Sequence, residues 1–111
     1  MGNERLITDL RTFVAERDWS QFHTPSNLAK SVSIEAAELL ECFQWSDNVT
    51  DENRAAINDE LADVLTYCFL LADKLGEDPE KLILTKLEKT QEKYPVDKAR
   101  GKSVKYDRLD D

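Results

Sequence analysis

A chain of 111 residues has room for one domain and not for a cofactor domain beside a substrate domain. Three Gly and three Pro are too few for a many-stranded sandwich or barrel, which needs a turn signal every ~8 to 12 residues, so an all-α domain is expected. A formal charge of -8 argues against duplex nucleic acid as a partner, because an acidic surface repels a phosphate backbone.

Helical periodicity divides the chain into four helices and a tail. Asn3 opens the first, which runs to about residue 18 with Leu6, Ile7, Leu10, Phe13 and Val14 at three- and four-residue steps. Residues 19–23 interrupt the period, and Thr24 followed by Pro25 marks a helix start, since proline presets φ for the first turn. The second helix is expected to reach about Trp45. After a polar linker over 46–50, a third is expected over 51–75 and stopped by Gly76, the residue type favoured in the left-handed position past a helix. Asp78 and Pro79 open a fourth, which should close near Tyr94 because Pro95 disfavours helical geometry in the residue before it. A basic tail follows from about residue 95. Cys42 and Cys68 fall inside apolar helical patterns and read as reduced core residues. No apolar run approaches the ~18 residues that span a bilayer, and the first ten residues carry no signal-peptide core, so a soluble cytoplasmic protein with no membrane partner is expected.

Charge is segregated along this layout. Residues 35–80 carry a net charge of -11, whereas residues 81–108 carry +5. An acidic middle with a basic end suits a metal and a polyphosphate; it equally suits two solvated helix faces held by surface ion pairs.

The placement of four acids is more telling. At ~100° per residue, the second helix presents Leu28, Val32, Ala36, Leu39, Leu40 and Phe43 as one broad face, with Glu35 and Glu38 lying between that face and Ile34. The third helix repeats the arrangement: Ile57, Leu61, Val64, Cys68, Leu71 and Leu75 form a face, and Glu60 and Asp63 lie between it and Leu70, with Tyr67 between the two acids. Each pair is spaced i, i+3, one turn apart on one edge. If the helices pack antiparallel, four carboxylates converge. Buried carboxylates must be protonated, paired or bound to metal. The only bases over 25–76 are Lys30, Arg54 and Lys74, none at a matching position, which favours a divalent cation, and all-oxygen ligation selects Mg2+ or Mn2+. With His23 the sole histidine, a zinc site and a di-iron carboxylate bundle are both excluded, and no loop has the EF-hand pattern.

The order Glu35-x-x-Glu38 then Glu60-x-x-Asp63 resembles the all-α nucleoside triphosphate pyrophosphohydrolases of the MazG-like superfamily. Residues 17–27 (RDWSQFHTPSN), Phe43-Gln44-Trp45, residues 94–101 (YPVDKARG) and Lys105-Tyr106 resemble its dCTP pyrophosphatase branch, over about residues 17–106. Ile34 precedes Glu35 where many MazG relatives double the glutamate, and Thr90 stands where animal members are expected to carry asparagine. The resemblance implies a four-helix MazG-like bundle with a basic C-terminal tail, one domain over 1–111, assembled as a homodimer or a dimer of dimers. It implies hydrolysis of a nucleoside triphosphate, dCTP or a modified dCTP, to the monophosphate and pyrophosphate, as nucleotide-pool cleansing. Metal would be held by Glu35, Glu38, Glu60 and Asp63, one of which doubles as general base. Lys86, Arg100, Lys102 and Lys105 are candidate phosphate ligands, and Trp19, His23, Trp45 and Tyr67 candidates for base and sugar. Independently of the resemblance, residues 64–72 are apolar on nearly every side of their helix, which also points to self-association. The competing reading is a non-catalytic helical module that binds a partner protein.

Overall fold

The computed structural model describes residues 3–110. Among them every regular element is helical. The chain divides into two compact units, Met1–Glu77 and Asp78–Asp111.

The first unit contains α1 (Glu4–Glu16), α2 (Pro25–Glu41) and α3 (Arg54–Lys74). Its principal packing is α2 on α3, with α1 resting more lightly on α3. Between α1 and α2 the chain reverses through Asp18, a non-glycine residue in the left-handed region at φ 53°, and a 3₁₀ turn at Ser20–Phe22. The Gln21 amide braces this reversal by donating to both the Asp18 carbonyl and the Asp18 carboxylate, at 3.0 and 3.1 Å. Thr24 caps α2 as expected, its Oγ1 accepting from the Asn27 amide at 3.1 Å, with Pro25 in the first turn.

The expected bounds of α2 and α3 are both too generous. Past Glu41 the amides of Cys42, Phe43 and Gln44 turn to carbonyls three residues back, and the helix tightens out of α geometry before Trp45. Thr50 and Asn53 satisfy each other reciprocally: the Thr50 amide donates to Asn53 Oδ1 at 2.7 Å and the Asn53 amide to Thr50 Oγ1 at 3.3 Å. That local bonding holds residues 51–53 as a turn, so α3 begins at Arg54. Its far end matches expectation. Gly76, at φ 72°, lets its own amide reach the Asp73 carbonyl and the Glu77 amide reach Ala72, which satisfies two otherwise orphaned helix carbonyls.

Val14, Leu28, Ile57 and Ala72 are the buried apolar residues of this unit. The expected core faces are only partly covered. Leu40 is 72% exposed, and Leu61, Cys68 and Leu75 are exposed as well, since one light 13-residue helix beside the α2–α3 pair cannot cover both flanks. Cys68 is thus not the core residue its position suggests.

The second unit is α4 (Pro79–Lys93), α5 (Val96–Ala99) and a 3₁₀ turn at Tyr106–Arg108. Asp78 caps α4 by accepting from the Lys81 amide at 2.9 Å. The tail is ordered rather than a plain basic extension. The Tyr94 hydroxyl accepts from the Tyr106 amide at 3.0 Å, the two rings meet edge to face, and Lys93 sits over the Tyr106 ring. Leu109 is buried, with its carbonyl accepting from Lys102 Nζ. No described helix is long and apolar enough to cross a membrane.

Candidate active site

The α2–α3 packing brings Glu35, Glu38 and Glu60 together, with one carboxylate oxygen of each within 4.8 Å of the others. Glu35 and Glu60 are half-buried and Glu38 is exposed. The Oε2 atoms of Glu35 and Glu60 are sealed from solvent and have no hydrogen-bond partner. Among the described residues no lysine or arginine forms an ion pair with any of the three.

Their protonation reflects this crowding. Glu35 is pushed up to about 7, first by the hydrogen bond to Glu38, then by desolvation and the charges of Glu38, Asp63 and Glu60. Glu60 is also raised, first by desolvation and then by the hydrogen bond and charge of Glu38, with Asp63 and Asp59 adding repulsion. An oxygen cluster with orphaned buried acceptors and no organic base fits a hard divalent cation, whose charge would relieve both the repulsion and the missing bonds.

Asp63 does not join this group of three. It is exposed and acts on Glu35 and Glu60 through its charge, while its side chain lines an adjoining cleft of about 320 Å³. One wall of the cleft is α3, through Asp63, Thr66, Tyr67 and Leu70; the other is α1 and the reversal after it, through Leu10, Phe13, Val14, Trp19 and His23. Three candidates for base and sugar, Trp19, His23 and Tyr67, therefore share one cavity with Asp63, whose charge acts on the carboxylate cluster.

Trp19 is held in place by residues whose part was not apparent from sequence. Its amide donates to the Val14 carbonyl at 3.1 Å, and its ring meets Phe13 edge to face at 5.5 Å between centroids. The Arg17 guanidinium lies 3.9 Å from the Phe13 centroid and donates to the Phe13 carbonyl, completing a stack of Arg17, Phe13 and Trp19. Periodicity marks Phe13 only as one apolar residue of an amphipathic helix; its i, i+4 relation to Arg17 is the sequence signal for the contact.

Trp45 is 90% exposed in the α2–α3 connection and does not line the cleft. Lys86, Arg100, Lys102 and Lys105 belong to the second unit and are exposed; Lys86 borders a shallow groove on α4 with Leu82, Ile83, Leu87 and Thr90.

A model of the MazG-like family matches residues 30–109. The chain is 38% identical over 114 residues to dCTP pyrophosphatase 1 of Rattus norvegicus, spanning 93% of this chain and 67% of that protein. It is 39% identical over 117 residues to dCTP pyrophosphatase 1 of Homo sapiens, spanning 96% and 69%. A crystal structure of a pyrophosphatase from Archaeoglobus fulgidus matches with a TM-score of 0.76 at 42% identity, covering 86% of this chain and 94% of that chain.

Proposed function

This chain belongs to the MazG-like family, and from that premise we propose that it is an Mg2+-dependent nucleoside triphosphate pyrophosphohydrolase, acting on dCTP or a base-modified dCTP to give the monophosphate and pyrophosphate. The observation that carries the reading is the pair of sealed, partnerless oxygens on Glu35 and Glu60, set one turn from a nucleotide-sized cleft. Mn2+ is the alternative cation, by the same oxygen chemistry.

Glu35, Glu38 and Glu60 would hold the cation, and Asp63 would add negative charge beside them. When bound, the cation supplies an acidified water and offsets charge on the phosphates. One carboxylate of the first pair, Glu35 or Glu38, takes the proton of the attacking water. The oxygen of that water bonds to the α-phosphorus as the bridging P–O bond to the β-phosphate breaks, so that the monophosphate keeps the new oxygen and pyrophosphate leaves. Trp19 and Tyr67 bracket the base, and His23 and the Tyr67 hydroxyl offer the hydrogen bonds that a pyrimidine-selective pocket needs, because stacking alone tolerates every base. A volume of about 320 Å³ falls within the range of small-molecule sites. Trp45, outside the cleft lining, is a further candidate for contact with the base, and Lys86, Arg100 and Lys105 are the candidate phosphate ligands that the second unit offers.

The chain works as one domain over 1–111, a reading supported by a family match that runs from the first unit into the second. It assembles as a homodimer or dimer of dimers, which would cover apolar side chains such as Leu40 and Leu65, the latter 50% exposed. Two free cysteines suit a reducing cytoplasm, and nucleotide-pool cleansing is the role that fits the substrate class.

The test is release of pyrophosphate, and not orthophosphate, from a panel of plain and base-modified dNTPs with Mg2+ and with EDTA. We expect dCMP and pyrophosphate with Mg2+ alone; absence of turnover on every nucleotide would leave the chain a helical binding module.

A further inference from the structure

We propose that Arg11 and Asp73 form a positioning clamp that docks α1 on α3 and so sets the width of the cleft between them. The inference rests on the nucleotide-site reading above and adds two residues outside the cleft lining.

The two walls of the cleft belong to helices that pack only lightly on each other, with Val14 the one buried residue that α1 contributes. Arg11 spans the gap. Its Nε donates to both Asp73 oxygens, at 3.1 and 3.0 Å, and its Nη2 donates to Oδ1. The next residue, Lys74, donates from Nζ to Ser20 Oγ at 3.3 Å, which ties the end of α3 to the 3₁₀ turn as well.

Sequence spacing couples this clamp to the cleft. Arg11 directly follows Leu10, and Asp73 lies one helical turn beyond Leu70, both cleft residues. A second cavity, of about 270 Å³, is lined by Arg11, Asp73, Lys74 and Ser20 and shares Val14, His23 and Leu70 with the cleft. Single side chains therefore separate the clamp from the substrate space.

The pair suits positioning better than stabilisation. Its side chains are 63% and 27% exposed, and ion pairs so open to water contribute little to global stability. Bidentate geometry nevertheless fixes the relative orientation of the groups it joins. The Arg11 guanidinium holds the Asp73 carboxyl below the usual carboxylate range, so the clamp stays charged throughout neutral pH.

The experiment compares Arg11→Ala, Asp73→Asn and the charge-reversed double variant Arg11→Asp/Asp73→Arg with the unmodified protein. For each single variant we expect KM for dCTP to rise roughly five- to tenfold with kcat within about twofold and the melting temperature nearly unchanged, and the double variant to recover most of the loss. A second readout does not depend on turnover. The chain has two tryptophans, so in a Trp45→Phe background emission reports Trp19 alone. Arg11→Ala in that background should shift emission to the red and increase quenching by acrylamide. Unchanged Trp19 quenching, or a fall in kcat at constant KM, overturns the clamp. Failure of the unmodified protein to hydrolyse any nucleotide overturns the functional reading instead, while Trp19 quenching still decides the clamp.

Discussion

Glu35 on α2 and Glu60 on α3 each turn one oxygen, Oε2, into a space closed to solvent where no donor meets it. Two carboxylates placed this way on separate helices oppose the packing that unites them, unless a proton or a cation sits between. Glu38, exposed and with a carboxylate oxygen within 4.8 Å of both, completes the cluster. The α2–α3 interface thus has a built-in dependence on what neutralises it.

That dependence sets the sign of the pH response without metal. Glu35 moves from an ordinary value of 4.5 to about 7, and Glu60 shifts in the same direction. A group whose folded pKa is raised contributes stability that is present below the unfolded value and lost as pH rises through the folded one. In EDTA, the melting temperature should therefore fall between about pH 5 and pH 8. Asp73 does not oppose the trend in this window, because its pKa is lowered and its contribution is lost only on acidification. Mg2+ bound at the deprotonated cluster should flatten the slope. Thermal melts across pH, with and without Mg2+, check this; a metal-free melting temperature that rises with pH would refute it.

Glu38→Gln and Asp63→Asn separate ligation from folding. Both should lower turnover by two orders of magnitude or more, while circular dichroism keeps its native helicity and the apo protein melts at the same temperature or higher, since each change removes repulsion. Asp63 lies outside the group of three, so Mg2+ titration should show a smaller loss of affinity for Asp63→Asn than for Glu38→Gln. Activity that persists in EDTA would contradict the cation site.

Legibility in the sequence followed the range of the interactions. Caps such as Thr24-Pro25, Asp78-Pro79 and Gly76 act within four residues and could be read directly. The i, i+3 spacing puts Glu35 and Glu38 on one edge of a helix, but the burial expected from apolar neighbours on both sides holds only in part for Glu35, since Glu38 and the flanking Ile34 are exposed. α2 ends earlier and α3 begins later than periodicity predicts because the turns after Glu41 and the reciprocal Thr50–Asn53 bonds replace helical bonding with equally local alternatives. Arg11–Asp73 and the Phe13–Trp19 contact were illegible for a different reason. Both depend on how α1 crosses α3 or on the path of the reversal after α1, which periodicity does not encode.

Asp18 is the backbone position on which that reversal turns. At φ 53° a short polar side chain is tolerated, whereas a β-branched one is strongly disfavoured. Asp18→Asn should keep both the conformation and the bond from Gln21 and leave activity within about twofold. Asp18→Val should lower the melting temperature by several degrees and raise KM, because Trp19 and His23 are carried by the same turn. Asp18→Gly relieves strain but loses the carboxylate bond, so its stability should fall between the two. Equal stability of the Val and Asn variants would show that the reversal does not need this geometry.

The two tryptophans should differ in what they report. Trp19 stands in the cleft, and stacking of a base on an aromatic ring is worth roughly 1–3 kcal/mol, so Trp19→Ala is expected to raise KM for dCTP about tenfold. Trp45, at 90% exposure, buries almost nothing within a single chain, and an indole so open to water gains from being covered. Nucleotide and a second copy of the chain are the two available covers. Trp45→Ala should raise KM for dCTP and flatten the ranking among dNTPs while the Mg2+ requirement stays unchanged. Light scattering alongside the kinetics assigns the cover: a KM rise at unchanged mass points to direct contact with nucleotide, whereas a rise that follows dissociation points to the second copy. A fully active monomer at low micromolar concentration would remove the homo-oligomer, and a purine clearly outpacing dCTP would remove the substrate preference, each leaving the case for a cation at the carboxylate cluster intact.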